Sequence, residues 1–157
     1  MLGVVRLAPS STAYRVRQVF LASRSAEWSG SAGAVYPAIN RLRAEGLLRE
    51  SAAQDGRGTR TYWLTAAGVS AHDEWLCDVE RAIGAGLDPF RTRAGFWSVL
   101  PSRKRGALLQ RLKRQIERQR QELLQELPSL DANDSAMTTL HVALLDARLK
   151  WLGANTN

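Results

Sequence analysis

Apolar positions recur along this chain with a period that changes several times, and the changes mark out its elements. Met1 to Leu7 is apolar apart from Gly3 and Arg6 and begins without a preceding cap. A helix entered partway through is expected there, and with it a start codon upstream of Met1. Pro9 and the serines that follow break the pattern, and Ser11 or Thr12 can cap a second helix through about Arg24, with Ala13, Val16, Val19 and Phe20 at helical spacing. Ser25 to Gly30 reads as a loop around Trp28. Next comes Ser31 to Gly46, SAGAVYPAINRLRAEG, in which Val35, Ile39 and Leu42 repeat at i, i+4 and i+7. Ser31 suits the N-cap and Gly46 the residue after the last turn. Pro37 interrupts this helix, because an interior proline loses one backbone bond and crowds the preceding turn. The helix should therefore start nearer Val35 or bend.

The face of that helix opposite the apolar one holds Gly33, Pro37, Asn40, Arg41 and Ala44, with Tyr36 and Arg43 at its flank. Small groups let a helix approach another surface closely, an amide pairs with a base edge, and a guanidinium forks onto phosphate or guanine. An ordinary amphipathic helix on a core would show the same apolar stripe, so the elements that follow carry weight. After Gly46 the period shortens: Leu47 to Ala53 and Arg60 to Thr65 read as strands around QDGRGT, whose Asp55-Gly56 pair is a hairpin signal. This predicts a two-stranded wing, with Arg57, Thr59 and Arg60 at or beside its tip, within reach of a sugar-phosphate backbone. Helix, helix, helix and hairpin is the order of a winged helix-turn-helix, whose third helix enters the major groove.

From Thr65 a helix is expected through about Ile83, using Val69, Leu76, Val79 and Ile83 with Trp75 beside them, until Gly84, Gly86 and Pro89 end it. Phe90 to Leu100 concentrates Phe96, Trp97, Val99 and Leu100, which must be covered. Pro101 and Ser102 open a long helix to about Leu127 in which Leu109, Ile116 and Leu123 repeat every seven residues, Leu112 falling between the first two. Gln119 and Glu126 weaken the seam further on, which favours packing on other helices over a long coiled coil. Pro128 stops the helix, Asn133 or Asp134 can cap a last one, and Met137, Leu140, Leu144, Leu145 and Leu152 form its apolar stripe, closed by Trp151 and Gly153. Two wide stripes after a complete winged domain have too little core of their own, and a twin subunit would supply it.

Charge adds a partner to this outline. The net charge is +7 and unevenly placed: residues 1–70 carry nine arginines against four acids, and residues 101–128 eight basic side chains against three acidic ones. The first segment suits a polyanion; the second is read as a solvated helix face. No apolar run approaches the roughly 20 residues that cross a bilayer, so the expectation is a soluble cytoplasmic protein, nucleoid-associated when bound to DNA, with no membrane partner. Cys77 has no cysteine partner in the sequence. His72 and His141 lack ligand-spaced neighbours, and His72, Asp73 and Glu74 are expected at the solvent. With no metal or cofactor motif and no nucleophile beside a base, no enzyme is expected.

The run SAGAVYPAINRLRAEGLL, followed after a basic glycine turn by RTYWLTAAG, resembles the signature of PadR family transcriptional regulators. The resemblance covers about residues 1–70. Where the family has His-Gly-Tyr-Glu at the start of the second helix, this chain has SSTAYRV and keeps Tyr14 alone. The resemblance implies a mainly α fold: a winged helix-turn-helix DNA-binding domain at 1–70 and a helical dimerisation and effector domain at 71–157. It further implies a homodimeric repressor of an inverted-repeat operator in double-stranded DNA, released by a small aromatic or apolar effector. The DNA-binding residues are then Ser31, Tyr36, Asn40, Arg41, Arg57, Thr59 and Arg60. Trp75, Trp97 and Trp151 are effector candidates, and Leu109, Leu112, Ile116, Leu123, Leu140 and Leu144 the dimer seam. The alternative is a winged-helix module that binds protein without reading DNA.

Overall fold

The computed structural model describes residues 1–23, 30–51, 59–84 and 89–155. Its contacts divide the chain into two units, Met1–Leu76 and Cys77–Asn157. The fold is mainly helical with one small sheet.

In the first unit, α1 (Leu2–Leu7), α2 (Ala13–Leu21) and α3 (Ala32–Ala44) precede β2 (Leu48–Glu50), β3 (Thr61–Leu64) and α4 (Ala66–Cys77). A strand that the hydrophobic pattern does not announce, β1 (Ser11–Thr12), pairs with β3, so the wing is the edge of a three-stranded antiparallel sheet ordered β1-β3-β2. Ser11 faces Tyr62 on one side, and Glu50 faces Tyr62 on the other. Two residues suffice for β1 because β3 supplies the ladder; their own side chains show no alternation to read. Thr12 then switches role and caps α2, its hydroxyl accepting from the Arg15 amide at 3.1 Å. Val4, Val5, Val16, Val35, Ile39, Leu48 and Tyr62 are buried in this unit.

The junction between wing and α4 explains the L-T-x-x-G run. The Thr65 hydroxyl accepts from the Gly68 amide at 3.0 Å and donates to the Gly46 carbonyl at 2.7 Å, so one side chain caps α4 and ties it to the end of α3. Gly68 lies against the backbone of Leu47: a Cβ there would come within 2.0 Å of that carbonyl oxygen. Only glycine fits.

The expected helix from 65 to 83 is broken. It ends at Cys77, and α5 (Val79–Ile83) starts afresh with Asp78 as N-cap, its carboxylate accepting from the Arg81 amide. In the second unit α6 (Pro89–Ala94), a 3-10 turn at Trp97–Val99, α7 (Ser102–Glu126), a second 3-10 turn at Leu127–Ser129 and α8 (Ala132–Asn155) follow. Asp131, rather than Asn133 or Asp134, caps α8, its carboxylate accepting from both of their amides. Phe90, Phe96, Trp97 and Leu100 are buried as required, and α7 and α8 pack along each other with an Arg120–Asp146 ion pair between them. Arg148 anchors α8 to the end of α5 by donating to the Ile83 carbonyl at 2.7 Å, with its guanidinium over the Phe90 ring.

Candidate nucleic-acid interface

The apolar and polar faces of α3 separate as its spacing predicts. Val35 and Ile39 are each 1% exposed, Leu42 is half-buried, and Gly33, Tyr36, Pro37, Asn40, Arg41 and Ala44 are all exposed. The helix begins at Ala32, not nearer Val35. Ser31 caps it, accepting from the Ala34 amide at 3.2 Å. Pro37 sits inside the helix and removes the amide that would have bonded to the Gly33 carbonyl. Both residues lie on the exposed face, where that carbonyl can bond to water. At the other end Gly46 adopts φ +71°, and the amides of Gly46 and Leu47 donate back to the carbonyls of Arg43 and Leu42. This double bond pattern around a left-handed glycine ends the helix sharply and turns the chain straight into β2.

Beside this face stands a cluster of charge. Glu50 on β2 accepts from Arg43 of α3 and from Arg60 at the foot of β3, the latter at 2.9 and 3.1 Å to its two oxygens. The Arg43 hydrogen bond, then Arg60, hold the Glu50 carboxyl below its ordinary value against a desolvation that would raise it. Burial, followed by the nearby Glu50 charge, pushes the Tyr62 phenol up. The side chain of Arg41, exposed on the same helix, makes no hydrogen bond or ion pair to another described residue. Of the expected contact residues, then, Ser31, Tyr36, Asn40 and Arg41 share one exposed helix, and Thr59 and Arg60 are exposed at the wing. Arg57 and the Asp55-Gly56 turn lie outside the described residues.

The Arg43–Glu50 pair has no signature in the sequence. Their seven-residue separation spans a helix end and a turn, so no periodic pattern joins them. His72 is a second correction. Instead of facing solvent it is 3% exposed, stacked on Trp75 with ring centroids 5.8 Å apart, and its Nδ1 lies 3.2 Å from the Arg6 guanidinium, which also pairs with Asp73. Burial, with Arg6 and the Met1 amine adding repulsion that Asp73 only partly offsets, lowers its pKa to about 4. The signal was present as Gly68, His72 and Leu76, buried positions spaced by four.

The residues expected at a dimer seam divide in two. Leu109, Leu112 and Ile116 are already buried within the chain and cannot serve as an outer surface, so that expectation is corrected. Leu123 is half-buried, while Leu140 and Leu144 are exposed along with Met137 and Trp151. Among the effector candidates, Trp97 is 2% exposed and packs edge-on against Phe90 and tilted against Trp151, so its faces belong to the core. Trp151 keeps an exposed side, and Trp75 is half-buried on His72. Among the described residues no group of three or more His, Cys, Asp or Glu could hold a metal ion, and no helix is long and apolar enough to cross a membrane.

Comparison with known proteins places these elements. Residues 1–74 match the model of the transcriptional regulator PadR-like family. No curated protein matches the chain. Among solved structures, the chain is similar to Bacillus subtilis PadR in complex with operator DNA (18% identity over 98% of this chain and 94% of that one, TM-score 0.44). It is similar also to the same PadR with p-coumaric acid (17%, 98% and 94%, TM-score 0.41) and to the PadR-like regulator BC1756 from Bacillus cereus (15%, 99% and 90%, TM-score 0.43). The match to the transcriptional regulator PadR-like family thus covers residues 1–74, the part of the chain that holds the first three helices and the wing strands.

Proposed function

We propose that this chain is a sequence-specific DNA-binding regulator that acts without catalysis, repressing transcription from an inverted-repeat operator as a homodimer. The observation that carries the reading is the open face of α3. Asn40 and Arg41 are presented on a helix whose glycine, proline and alanine neighbours leave room for a groove wall, with Tyr36 at the flank and the cations of the wing alongside. In this reading Asn40 pairs with a base edge, Arg41 with guanine or phosphate, and Ser31, Thr59, Arg60 and Arg57 with the backbone.

A second copy of the chain completes the assembly. Met137, Leu140, Leu144, Ala147 and Trp151 are exposed along α8 and fall every three or four residues, the spacing of a two-helix seam. Burying the large ones, which are about half exposed, contributes less than the ~1.5 to 3 kcal/mol of a side chain buried from full exposure. A twofold axis through this seam would also match the symmetry of an inverted-repeat operator. Release is assigned to a small aromatic or apolar effector stacking on the open side of Trp151, and the site of action to the cytoplasm, on the nucleoid.

The test is binding to the promoter fragment upstream of the chain's own gene across a salt series, with scrambled duplex as reference. Specific DNA binding predicts a log–log slope of about −0.9 for each phosphate neutralised and a tighter complex with the promoter. Absence of any shift, with stable capture of a protein partner instead, would establish the protein-binding module in its place. For the effector, quenching of tryptophan fluorescence by an aromatic acid must coincide with loss of DNA affinity and disappear in Trp151→Ala.

A further inference from the structure

Three cations line the exposed side of α3 and the root of the wing, yet they are not equivalent. Arg41 is unengaged among the described residues, whereas Arg43 and Arg60 converge on Glu50. These three residues come from three elements: α3, the foot of β3, and β2 between them. The side chains are 37%, 53% and 28% exposed for Arg43, Arg60 and Glu50, so a phosphate can reach the guanidinium groups without unfolding anything.

We propose that Glu50 is a positioning residue of the DNA interface: it clasps the recognition helix to the wing through Arg43 and Arg60 and withholds both guanidiniums from phosphate until a correctly docked duplex competes for them. The inference rests on the regulator reading above and assigns this acid a role in discrimination. Two uncompensated arginines would attract any duplex, because phosphate contacts carry no sequence information. One carboxylate between them leaves the trio a single net positive charge, so chance encounters gain less. Exchange remains feasible, since ion pairs this open contribute little to stability and are screened by salt. Arg60 shares one guanidinium nitrogen between both Glu50 oxygens while Arg43 holds the same carboxylate from α3, so the root of the wing and the helix are tied through one acid. Specificity then arises by penalising the wrong partner rather than by adding a contact to the right one.

Glu50→Gln is the decisive variant, with Glu50→Asp and the pair Arg43→Gln/Arg60→Gln as companions. All are measured as full-length chains on promoter and scrambled duplexes between 50 and 300 mM salt, values of about the range in which phosphate contacts dominate. The inference predicts a salt slope on scrambled duplex steeper by about 0.9 in Glu50→Gln, a correspondingly tighter scrambled complex of up to roughly eightfold at 0.1 M relative to a 1 M reference, and a reduced promoter-to-scrambled ratio. Glu50→Asp, which keeps the charge, should hold scrambled affinity near the wild-type value. In the double arginine background, Glu50→Gln should have no further effect. Equal weakening on both duplexes with an unchanged slope would make Glu50 a purely structural group and overturn the inference alone. A wild-type chain that binds no duplex would remove the regulator reading itself. Should Gln unfold the wing, as thermal melting would show, the Asp variant and the double arginine variant decide on the same criteria.

Discussion

Acid should loosen the first unit through one imidazole. His72 is 3% exposed and its Nδ1 faces the Arg6 guanidinium at 3.2 Å, a contact that requires Nδ1 to accept and therefore requires a neutral ring. Its pKa is lowered from 6.5 to about 4, first by burial and then by Arg6. The folded state thus resists a proton that the unfolded chain accepts below pH 6.5. Stability from this group is fully present above 6.5, is lost as the pH falls from 6.5 to about 4, and falls no further below that. At 1.36 kcal/mol for each unit, the gap amounts to up to ~3 kcal/mol, a large part of what a small domain has. Urea unfolding at pH 7.5 and 4.5, monitored by amide signals of residues 1–76, should show this loss in the wild type. In His72→Gln, whose amide oxygen can still accept from Arg6 but does not titrate, the pH-dependent loss should shrink by that amount. Other titrating groups, such as Glu50 and the Met1 amine, act in both proteins and cancel in the comparison. Coincident pH profiles, or an imidazole Cε1 proton of His72 that titrates with a midpoint near 6.5, would refute the reasoning.

Further outcomes are expected at three other places. Gly68→Ala puts a methyl within 2.0 Å of the Leu47 carbonyl and should destabilise the first unit by about 1 to 3 kcal/mol or more, read as a lower urea midpoint at an unchanged m-value. Asn40→Ala is expected to cost about 1 to 3 kcal/mol on the promoter duplex while leaving scrambled duplex nearly untouched; equal losses on both would move Asn40 from base to backbone. Leu140→Glu with Leu144→Glu should yield a folded monomer by sedimentation at micromolar concentration, and an unchanged dimer would clear α8 of any part in the seam. Because both side chains are exposed, the melting temperature of a wild-type monomer should be nearly preserved in this variant.

Much of the candidate interface could be read from the chain because its determinants are local. Ser31 reaches an amide three residues on, Gly46 closes the helix over a handful of carbonyls, and the Val35–Ile39 spacing needs only the helix itself to define a face. The Glu50 clasp was hidden for the opposite reason. Arg43, Glu50 and Arg60 meet only because a turn at Gly46 and the strand pairing of β2 with β3 fold three segments onto one another. The burial of His72 runs against its local pattern, because a polar side chain on a helix is exposed by default, and its contact with Arg6, 66 residues away in sequence, is one that no local pattern carries.

By itself the sequence determined the succession of three helices, wing and helical second half, the cap of α3, the exposed composition around Asn40 and the basic character of residues 1–70, since periodicity, capping and charge are properties of neighbouring residues. Only the tertiary structure decided that β1 joins the wing as a third strand, that Asp78 divides one helix into two, and that Leu112, Ile116 and Trp97 are core while Leu140 and Leu144 stay open. An apolar side chain carries the same burial free energy wherever it goes. Which surface it meets is set by partners distant along the chain, and no local pattern encodes that choice.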